Sequence, residues 1–233
     1  MTDISEATGQ AFQLLFSGDA DLWEIIFTST GVSVRAILIA TPIALLVAFL
    51  LAHLHFPGRR TLVSLFHTFM AVPTVVVGLT LYLFFSRSGP LGDLNLLFTQ
   101  RAMVIGQILL SFPLLVSMSH SVFRAADSRI WETAITLGAK PWRAFLTLVH
   151  ELRFGLIAIV VAGFGRIIAE IGCSMMVGGN IQHYTRNIPT AIGLETSKGE
   201  FAQGIALGLV LLALALALNI TINYAQSRSE LTT

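Results

Sequence analysis

The sequence predicts an all-α integral membrane protein with about five transmembrane helices. Of its 233 residues, 55% are hydrophobic and only 12% are charged, which is about half the charged fraction of a typical soluble domain. The apolar residues form long runs separated by short polar segments, and about 20 apolar residues are enough to cross the hydrocarbon core of a bilayer. We identify no soluble domain and no repeat of fixed period.

Residues 1–30 are predicted to be an extracytoplasmic or interfacial N-terminal segment. They contain five acidic residues and no Lys or Arg. Their apolar side chains are grouped as in short helices that lie at a membrane surface. The segment lacks the basic start of a cleavable signal peptide.

Residues 31–224 form a single predicted transmembrane domain, followed by a cytoplasmic tail at 225–233. Pro73 in the second apolar run can break or kink its helix, and Pro113 lies in the third. The five predicted spans cover about 32–54, 62–85, 103–123, 154–177 and 201–224.

The distribution of Lys and Arg predicts the orientation, because short cytoplasmic loops hold an excess of both. Eight of these residues fall on one side and four on the other, which also carries the acidic N-terminus. We therefore expect the N-terminus outside and the C-terminus inside. The eight are Arg59, Arg60, Arg124, Arg129, Lys140, Arg143, Arg153 and Arg228.

A polar interval with helical character, residues 127–152, lies on the predicted cytoplasmic side, within a loop at 124–153. Its apolar residues recur at helical spacing. Gly138 supplies the left-handed residue that ends a helix, and Pro141 suits the first turn of a second one. A short amphipathic helix held there can dock into a groove on a soluble partner.

Two charged residues, Arg166 and Glu170, fall inside the fourth predicted span. A charge at the centre of a span costs about 2.5–3.5 kcal/mol on insertion scales, so such residues usually face a bundle interior or a water-filled path. Their i, i+4 spacing also permits an ion pair that only braces the helix. Both interpretations stay open for Arg166 and Glu170. Pro73 is a further candidate for a position near the translocation pathway.

The segment 178–200 is polar and predicted to lie outside the membrane. Asn180, Thr185 and Arg186 carry donors suited to an oxyanion, while a solvated loop is the more common explanation of such a composition. The segment could also be the place where an external binding protein docks.

The sequence contains no motif for catalysis or metal binding, and its six scattered histidines are interpreted as interfacial rather than metal-binding. Neither lysine follows a glycine, so no Walker A motif is present, and there is no H-E-x-x-H motif. The one cysteine, Cys173, excludes an internal disulfide framework. The chain is therefore not expected to be an enzyme by itself or to bind a cofactor or metal ion. Its net charge of +1 gives no reason to expect nucleic acid.

The stretch from Glu132 to Gly138 resembles the cytoplasmic signature of ABC importer permeases, which reads Glu-Ala-Ala, three residues and Gly. Here the stretch reads Glu-Thr-Ala-Ile-Thr-Leu-Gly, and His150-Glu151 stands where that family usually has Leu-Pro. The resemblance implies that this loop couples the chain to a separate ATPase subunit. The implied coupling residues are Glu132, Ala134, Leu137, Gly138, Lys140 and Pro141.

The segments around Pro73, around Glu170 and at 185–189 look like the molybdate, sulfate and tungstate group of these permeases. The run AIGLETSKGEFAQGIALG looks most like the tungstate-uptake members. This resemblance implies a type I ABC importer permease of molybdate-permease-like architecture, in a bacterial or archaeal inner membrane. It would move a tetrahedral oxyanion by alternating access, with tungstate preferred among the three.

The same resemblance implies the partners. They are a second copy of the chain, two cytoplasmic ATPase subunits that carry ATP and Mg, an extracytoplasmic oxyanion-binding protein and membrane lipid. The alternatives are the same role for molybdate or sulfate, and, in a different class, a self-sufficient secondary transporter.

Overall fold

The computed structural model describes the backbone of residues 4–230 and the side chains of 9–223 except Leu15 and Ser128. Residues 1–3 and 231–233, the ends of the predicted N-terminal segment and tail, lie outside the described residues. Within the described range the chain is helical, with a short 3-10 turn and no strand. The helices are α1 Ile4–Ser17, α2 Ala20–His53, α3 Arg59–Met70, α4 Thr74–Phe85, α5 Gln100–Ala125, α6 Ser128–Thr136, α7 Pro141–Glu151, α8 Arg153–Ile168, α9 Gly172–Gly178, α10 Ile188–Lys198 and α11 Phe201–Glu230.

Three helices are long and apolar enough to cross a membrane: α2, α5 and the 201–223 part of α11. Two further pairs meet the same test only together, α3 with α4 and α7 with α8, and these pairs are bent by 98° and 75°. Counting each bent pair as one span gives up to five spans. The upper count equals the five spans predicted, but the second pair begins at Pro141 and ends at Ile168, whereas the fourth span was predicted at about 154–177.

Helix α2 is longer than the first predicted span. It begins at Ala20, where the Asp19 side chain accepts a hydrogen bond from the Leu22 N–H at 2.8 Å. Its 34 residues extend about 51 Å at about 1.5 Å per residue, whereas the hydrocarbon core is about 30 Å thick. The prediction of separate short helices was thus wrong for residues 20–30, which form the first turns of α2.

The main core forms where α2 packs along α5. Ala36, Ala40, Ala44 and Ala48 recur at i, i+4 spacing on α2 and are all fully buried. Small side chains on one helix face allow two backbones to approach closely within a membrane. Helix α8 packs against both α2 and α5, so these three helices form the rigid centre of the chain.

A second apolar cluster lies around the start of α2. It joins α1, α10 and the first turns of α11 through Ala11, Leu22, Ile188 and Leu207. The Ile188 N–H also donates to the buried Ser29 hydroxyl at 2.6 Å. The segment 178–200, predicted to be a polar loop, therefore contains a packed helix and belongs to this cluster.

The division into a segment at 1–30, a domain at 31–224 and a tail at 225–233 stays a prediction. Helix α2 crosses the first of these boundaries without a break, and α11 crosses the second. The boundaries therefore do not coincide with ends of helices.

Candidate functional site

The predicted pair of helices joined by a glycine is present as α6 and α7. The Asp127 carboxylate accepts a hydrogen bond from the Arg129 N–H at 2.9 Å at the start of α6. Gly138 has a φ of +85° after the end of α6, and Pro141 is the first residue of α7. The left-handed backbone at Gly138 explains why glycine stands there, since a side chain would be strained in that conformation.

An aromatic cluster holds this hairpin against the end of α2. The Phe49 ring of α2 lies with its centroid 5.2 Å from Trp131 of α6 and 4.8 Å from Phe145 of α7. It also meets Phe123 of α5 edge-on at 5.9 Å. Phe49 therefore connects the hairpin to both helices of the central pair.

The hairpin also presents apolar side chains to the outside. Leu137 is 82% exposed and Trp142 is 62% exposed. Beside Leu137 lies an open groove of about 510 Å³, which Ile130, Ala134 and Ala139 also line. Of the six predicted coupling residues, Ala134 is half-buried and five are exposed: Glu132, Leu137, Gly138, Lys140 and Pro141.

The fourth predicted span is not one continuous helix. Helix α8 ends at Ile168 and α9 begins at Gly172, so Arg166 and Glu170 do not share a helix. Arg166 is exposed, whereas Glu170 is buried and its carboxylate accepts a hydrogen bond from the Cys173 N–H at 3.1 Å. The predicted intrahelical ion pair is absent from the ion pairs that the structure describes.

The interruption after α8 adjoins the interruption at Pro73. Pro73 lies just before α4, and its fixed φ and missing N–H end the continuity with α3. A Cβ added to Gly172 would lie 2.7 Å from Val75 Cγ2 and 2.9 Å from Thr74 Oγ1. The starts of α4 and α9 are therefore in direct contact, which places the two helix breaks side by side.

Gln107 is a polar residue at this junction that the sequence interpretation missed. It is buried in α5, and its amide donates to the Ile167 carbonyl near the end of α8 at 3.2 Å. Its side-chain oxygen is buried without a hydrogen-bond partner in the described structure. Gln107 is the one amide side chain in the span predicted at 103–123, and this was the available signal, since polar residues in a span usually face the interior of a bundle.

The predicted outer donors are mostly used by the fold itself. The Thr185 hydroxyl accepts from the Ile181 N–H at 3.0 Å and donates to the Gly178 carbonyl. The Asn180 amide donates to the Thr190 carbonyl at 3.5 Å. The donors of Asn180 and Thr185 are therefore engaged in contacts within the segment 178–190, and a role of this segment toward an oxyanion stays a prediction.

Arg186 lies beside a buried carboxylate. One of its terminal nitrogens is 3.9 Å from Glu195 Oε1, which also accepts a hydrogen bond from Lys198 Nζ at 3.0 Å. The Glu195 side chain is only 4% exposed. A buried carboxylate flanked by two cations holds α10 against the segment before it, so Arg186 has a structural role here.

A contact that the sequence did not predict joins this segment to the start of α2. His183 Nδ1 lies 2.8 Å from Glu24 Oε2, and this hydrogen bond raises the pKa of the imidazole above its ordinary value. The potential ligand atoms of Asp21, Glu24 and His183 all lie within 4.8 Å of one another. Among the described residues, this is the group whose side chains could hold a metal ion, and two of the three are exposed.

Comparison with known proteins gives a consistent assignment. Residues 40–230 match the family described as binding-protein-dependent transport system inner membrane component. The tungstate uptake system permease protein TupB of Campylobacter jejuni is 40% identical over 203 residues, which are 87% of this chain and 85% of that protein. TupB of Peptoclostridium acidaminophilum is 38% identical over 222 residues, 95% and 97% of the two chains.

A more distant sequence and a solved structure extend the comparison. The molybdenum transport system permease protein ModB of Escherichia coli K12 is 32% identical over 188 residues, 76% of this chain and 82% of that protein. The crystal structure of a bacterial ABC transporter that imports the polysaccharide alginate superimposes with a TM-score of 0.72 at 16% identity, over 94% and 82% of the two chains. That likeness concerns the fold alone.

The family match covers most of the chain, and the fold, the apolar helices and the exposed hairpin agree with it. The chain is a multi-pass inner-membrane transport subunit, whose family works with a binding protein and an ATPase. It belongs to the inner membrane components of binding-protein-dependent transport systems, the permeases of ABC importers.

Proposed function

We propose that this chain is the permease of an ATP-driven importer that takes up tungstate. The observation that carries the proposal is the 40% and 38% identity to two tungstate permeases, against 32% to a molybdenum permease. These matches span most of each chain, so the similarity extends over the whole transport domain. Tungstate and molybdate are both tetrahedral dianions, and the choice between them therefore needs a direct measurement.

The hairpin α6–α7 is the proposed contact with the ATPase. Exposed Leu137 and Trp142 present apolar surface that fits a groove on a soluble partner. Glu132 and Lys140 are exposed on the same hairpin, with Ala134 and Pro141 shaping it. ATP and Mg bind on the ATPase and not on this chain.

Movement of the hairpin would drive alternating access through the Phe49 cluster. Since Phe49 touches α6, α7 and α5, a push on the hairpin tilts the central pair α2–α5. The adjoining breaks at Pro73 and before α9 are the points where the spans can bend. We assign the pathway to this junction, with Arg166 as an attractive charge and the Glu170 charge offset by the Cys173 N–H.

The remaining parts of the proposal concern assembly. The chain forms a homodimer with two ATPase subunits, its N-terminus lies outside, and its C-terminus lies inside. The external binding protein docks at the end of the molecule that carries Asn180, Thr185 and Arg186. The second apolar cluster supports this assignment, because it gives that end a rigid surface around the start of α2.

The experiment that tests the substrate is uptake by cells that express the complete importer and lack other tungstate uptake systems. Intracellular tungsten is measured by mass spectrometry, with excess molybdate or sulfate as competitor. We expect accumulation that depends on the ATPase subunit and survives a tenfold excess of either competitor. Preferential uptake of molybdate contradicts the substrate, and uptake without the ATPase contradicts the ATP-driven mechanism.

Orientation is tested separately with Leu137→Cys and a membrane-impermeant maleimide. The native Cys173 is buried and gives little background labelling. Labelling in inverted vesicles but not in intact spheroplasts is expected. The reverse pattern places the hairpin on the outer face and refutes its role as the ATPase contact.

A further inference from the structure

A hollow lined by basic side chains opens between α3 and the second half of α5. We call it the basic pocket. Its volume is about 470 Å³. The lining side chains used below are Arg59, Arg60, Ser64, His67, His120 and Arg124.

The basic pocket lies at the same end of the molecule as the hairpin. Arg59 donates from Nη2 to the Ala52 carbonyl near the end of α2, at 3.3 Å. The next residue of that helix, His53, packs against Trp131 of α6 with tilted rings whose centroids are 5.6 Å apart. The pocket therefore opens beside the surface that we assign to the ATPase.

The charges in this pocket are not balanced by acids. Three guanidinium groups and two imidazoles line it, and its lining contains no carboxylate. In the ion pairs that the structure describes, the acidic partners are Glu24 and Glu195. Both lie near the second apolar cluster and not in the basic pocket. A concave surface lined by positive charges concentrates anions. The planar guanidinium group of Arg also presents its donors in a geometry that matches the oxygens of a phosphate-like group.

The pocket is also partly preorganised. Arg59 is fixed because its Nε and Nη2 donate to the carbonyls of Leu51 and Ala52. Helix α3 is held against α5 by the Phe66 and Phe112 rings, whose centroids are 6.0 Å apart. The basic side chains of the two helices thus face a space of defined width.

His120 supplies a second, independent observation. Its Nε2 is buried and has no hydrogen-bond partner in the described structure. A buried polar group without a partner is unfavourable, and an acceptor oxygen in the pocket would satisfy it. The excess of Arg in cytoplasmic loops accounts for Arg60 and Arg124 but not for a buried imidazole nitrogen beside them.

We infer that the basic pocket binds a tetrahedral oxyanion group, with Arg60, Arg124 and His120 as donors. Such a group can come from the phosphate of an anionic lipid or from a free dianion in the cytoplasm. The second source rests on the proposed function, since the free dianion would then be the transported ion at the inner end of its path. In both cases the recognised chemistry is the same.

The test uses the full chain in nanodiscs of neutral phosphatidylcholine. One arm titrates sodium tungstate and sodium phosphate by calorimetry. The other arm adds phosphatidylglycerol and measures retained lipid by native mass spectrometry. The variant Arg60→Gln/Arg124→Gln is compared with Arg87→Gln/Arg101→Gln, which removes the same charge from exposed positions outside the pocket.

The native chain and the control are expected to bind in at least one arm. The pocket variant should lose at least about tenfold in that affinity, because charge-assisted hydrogen bonds are the strong ones. The arm that responds identifies the source. If the double variant melts early, Arg60→Gln alone replaces it, since Arg60 is exposed and lies in the first turn of α3.

Equal affinity in the pocket and control variants overturns the inference, as does absence of binding by the native chain in both arms. Failure of the proposed function is a different result. A chain that does not support tungstate uptake in cells can still bind phosphate or phosphatidylglycerol through this pocket. Conversely, a working tungstate importer whose pocket variant binds normally refutes only the pocket.

Discussion

The packing of Gly106 against Cys173 gives a prediction whose sign can be worked out. Gly106 lies in α5 where α9 crosses it, and a Cβ added there would lie 2.5 Å from Cys173 Sγ. The next neighbour, Leu81 Cδ1, is at 3.5 Å, which is ordinary contact. Cys173 is 1% exposed, so its sulfur has little room to move away.

We therefore expect Gly106→Ala to destabilise the chain by about 1–3 kcal/mol, the usual effect of overpacking a core. In a Cys173→Ala background the obstructing sulfur is gone. There the same change should be neutral or stabilising by up to about 1 kcal/mol, because alanine is favoured over glycine within a helix. The sign of the Gly106→Ala effect thus reverses between the two backgrounds.

The measurement is the apparent melting temperature in detergent, where about 1 kcal/mol corresponds to about 2–4 °C for a chain of this size. Gly208→Ala is the matched control, since a Cβ there meets nothing within 4 Å. Its effect should be the same in both backgrounds. An equal loss from Gly106→Ala with and without the sulfur would refute the packing argument.

Three further predictions concern the hairpin and the outer contact. Leu137→Ala should reduce transport-coupled ATPase activity while leaving the melting temperature unchanged, because Leu137 is 82% exposed; an unchanged coupling ratio contradicts this. Gly138→Val should abolish uptake in a protein that still inserts, whereas Gly138→Asn, which tolerates a positive φ, should retain part of it; equal uptake by both variants contradicts the conformational argument. The hydrogen bond with Glu24 raises the pKa of His183. The contact should therefore stabilise the fold fully below the ordinary imidazole pKa of about 6.5, and this stabilisation should be lost as pH rises through the raised pKa. The melting-temperature difference between the native chain and His183→Gln should accordingly shrink as pH rises, and a constant difference counts against the contact.

Local chemistry explains what the sequence predicted well. The break at Pro73, the stop at Gly138 and the start at Pro141 each depend on one residue whose backbone preferences are strong. The long apolar spans follow from composition alone. These features needed no knowledge of the remaining chain.

The errors arise where tertiary contacts decide the structure. Nothing in the run around Arg166 and Glu170 shows that the helix ends at Ile168 or that Gly172, four residues later, lies against α4. Glu170 then caps the next helix through the Cys173 N–H rather than pairing with Arg166. The i, i+4 spacing was a valid signal only for an unbroken helix.

Two other misses had readable signals. Asp19 could have been recognised as the cap of α2, since Asp commonly accepts from the first free N–H groups of a helix. Asn187 and Thr190 form a capping box at the beginning of α10. Pro189 between them is a residue type that is common in the first turn of a helix. The polarity of the segment 178–200 suggested a loop instead, and the residues around Asp19 were assigned to short interfacial helices.

Contacts between distant parts of the chain could not be predicted from the sequence. Glu24 and His183 are 159 residues apart, and the basic pocket draws its side chains from two different helices. No periodicity relates such residues. The segment between α9 and α10 meets the start of α2 at the first contact, and packing of α3 against α5 forms the pocket.

The pairing of α1 with α11 has a consequence for biosynthesis. The ribosome delivers α1 first, yet the apolar partner that covers Ala11 is made last. Until translation is complete, α1 must remain at the bilayer surface or bound to an insertion factor. A nascent polypeptide stopped before residue 201 would therefore keep this apolar face of α1 uncovered.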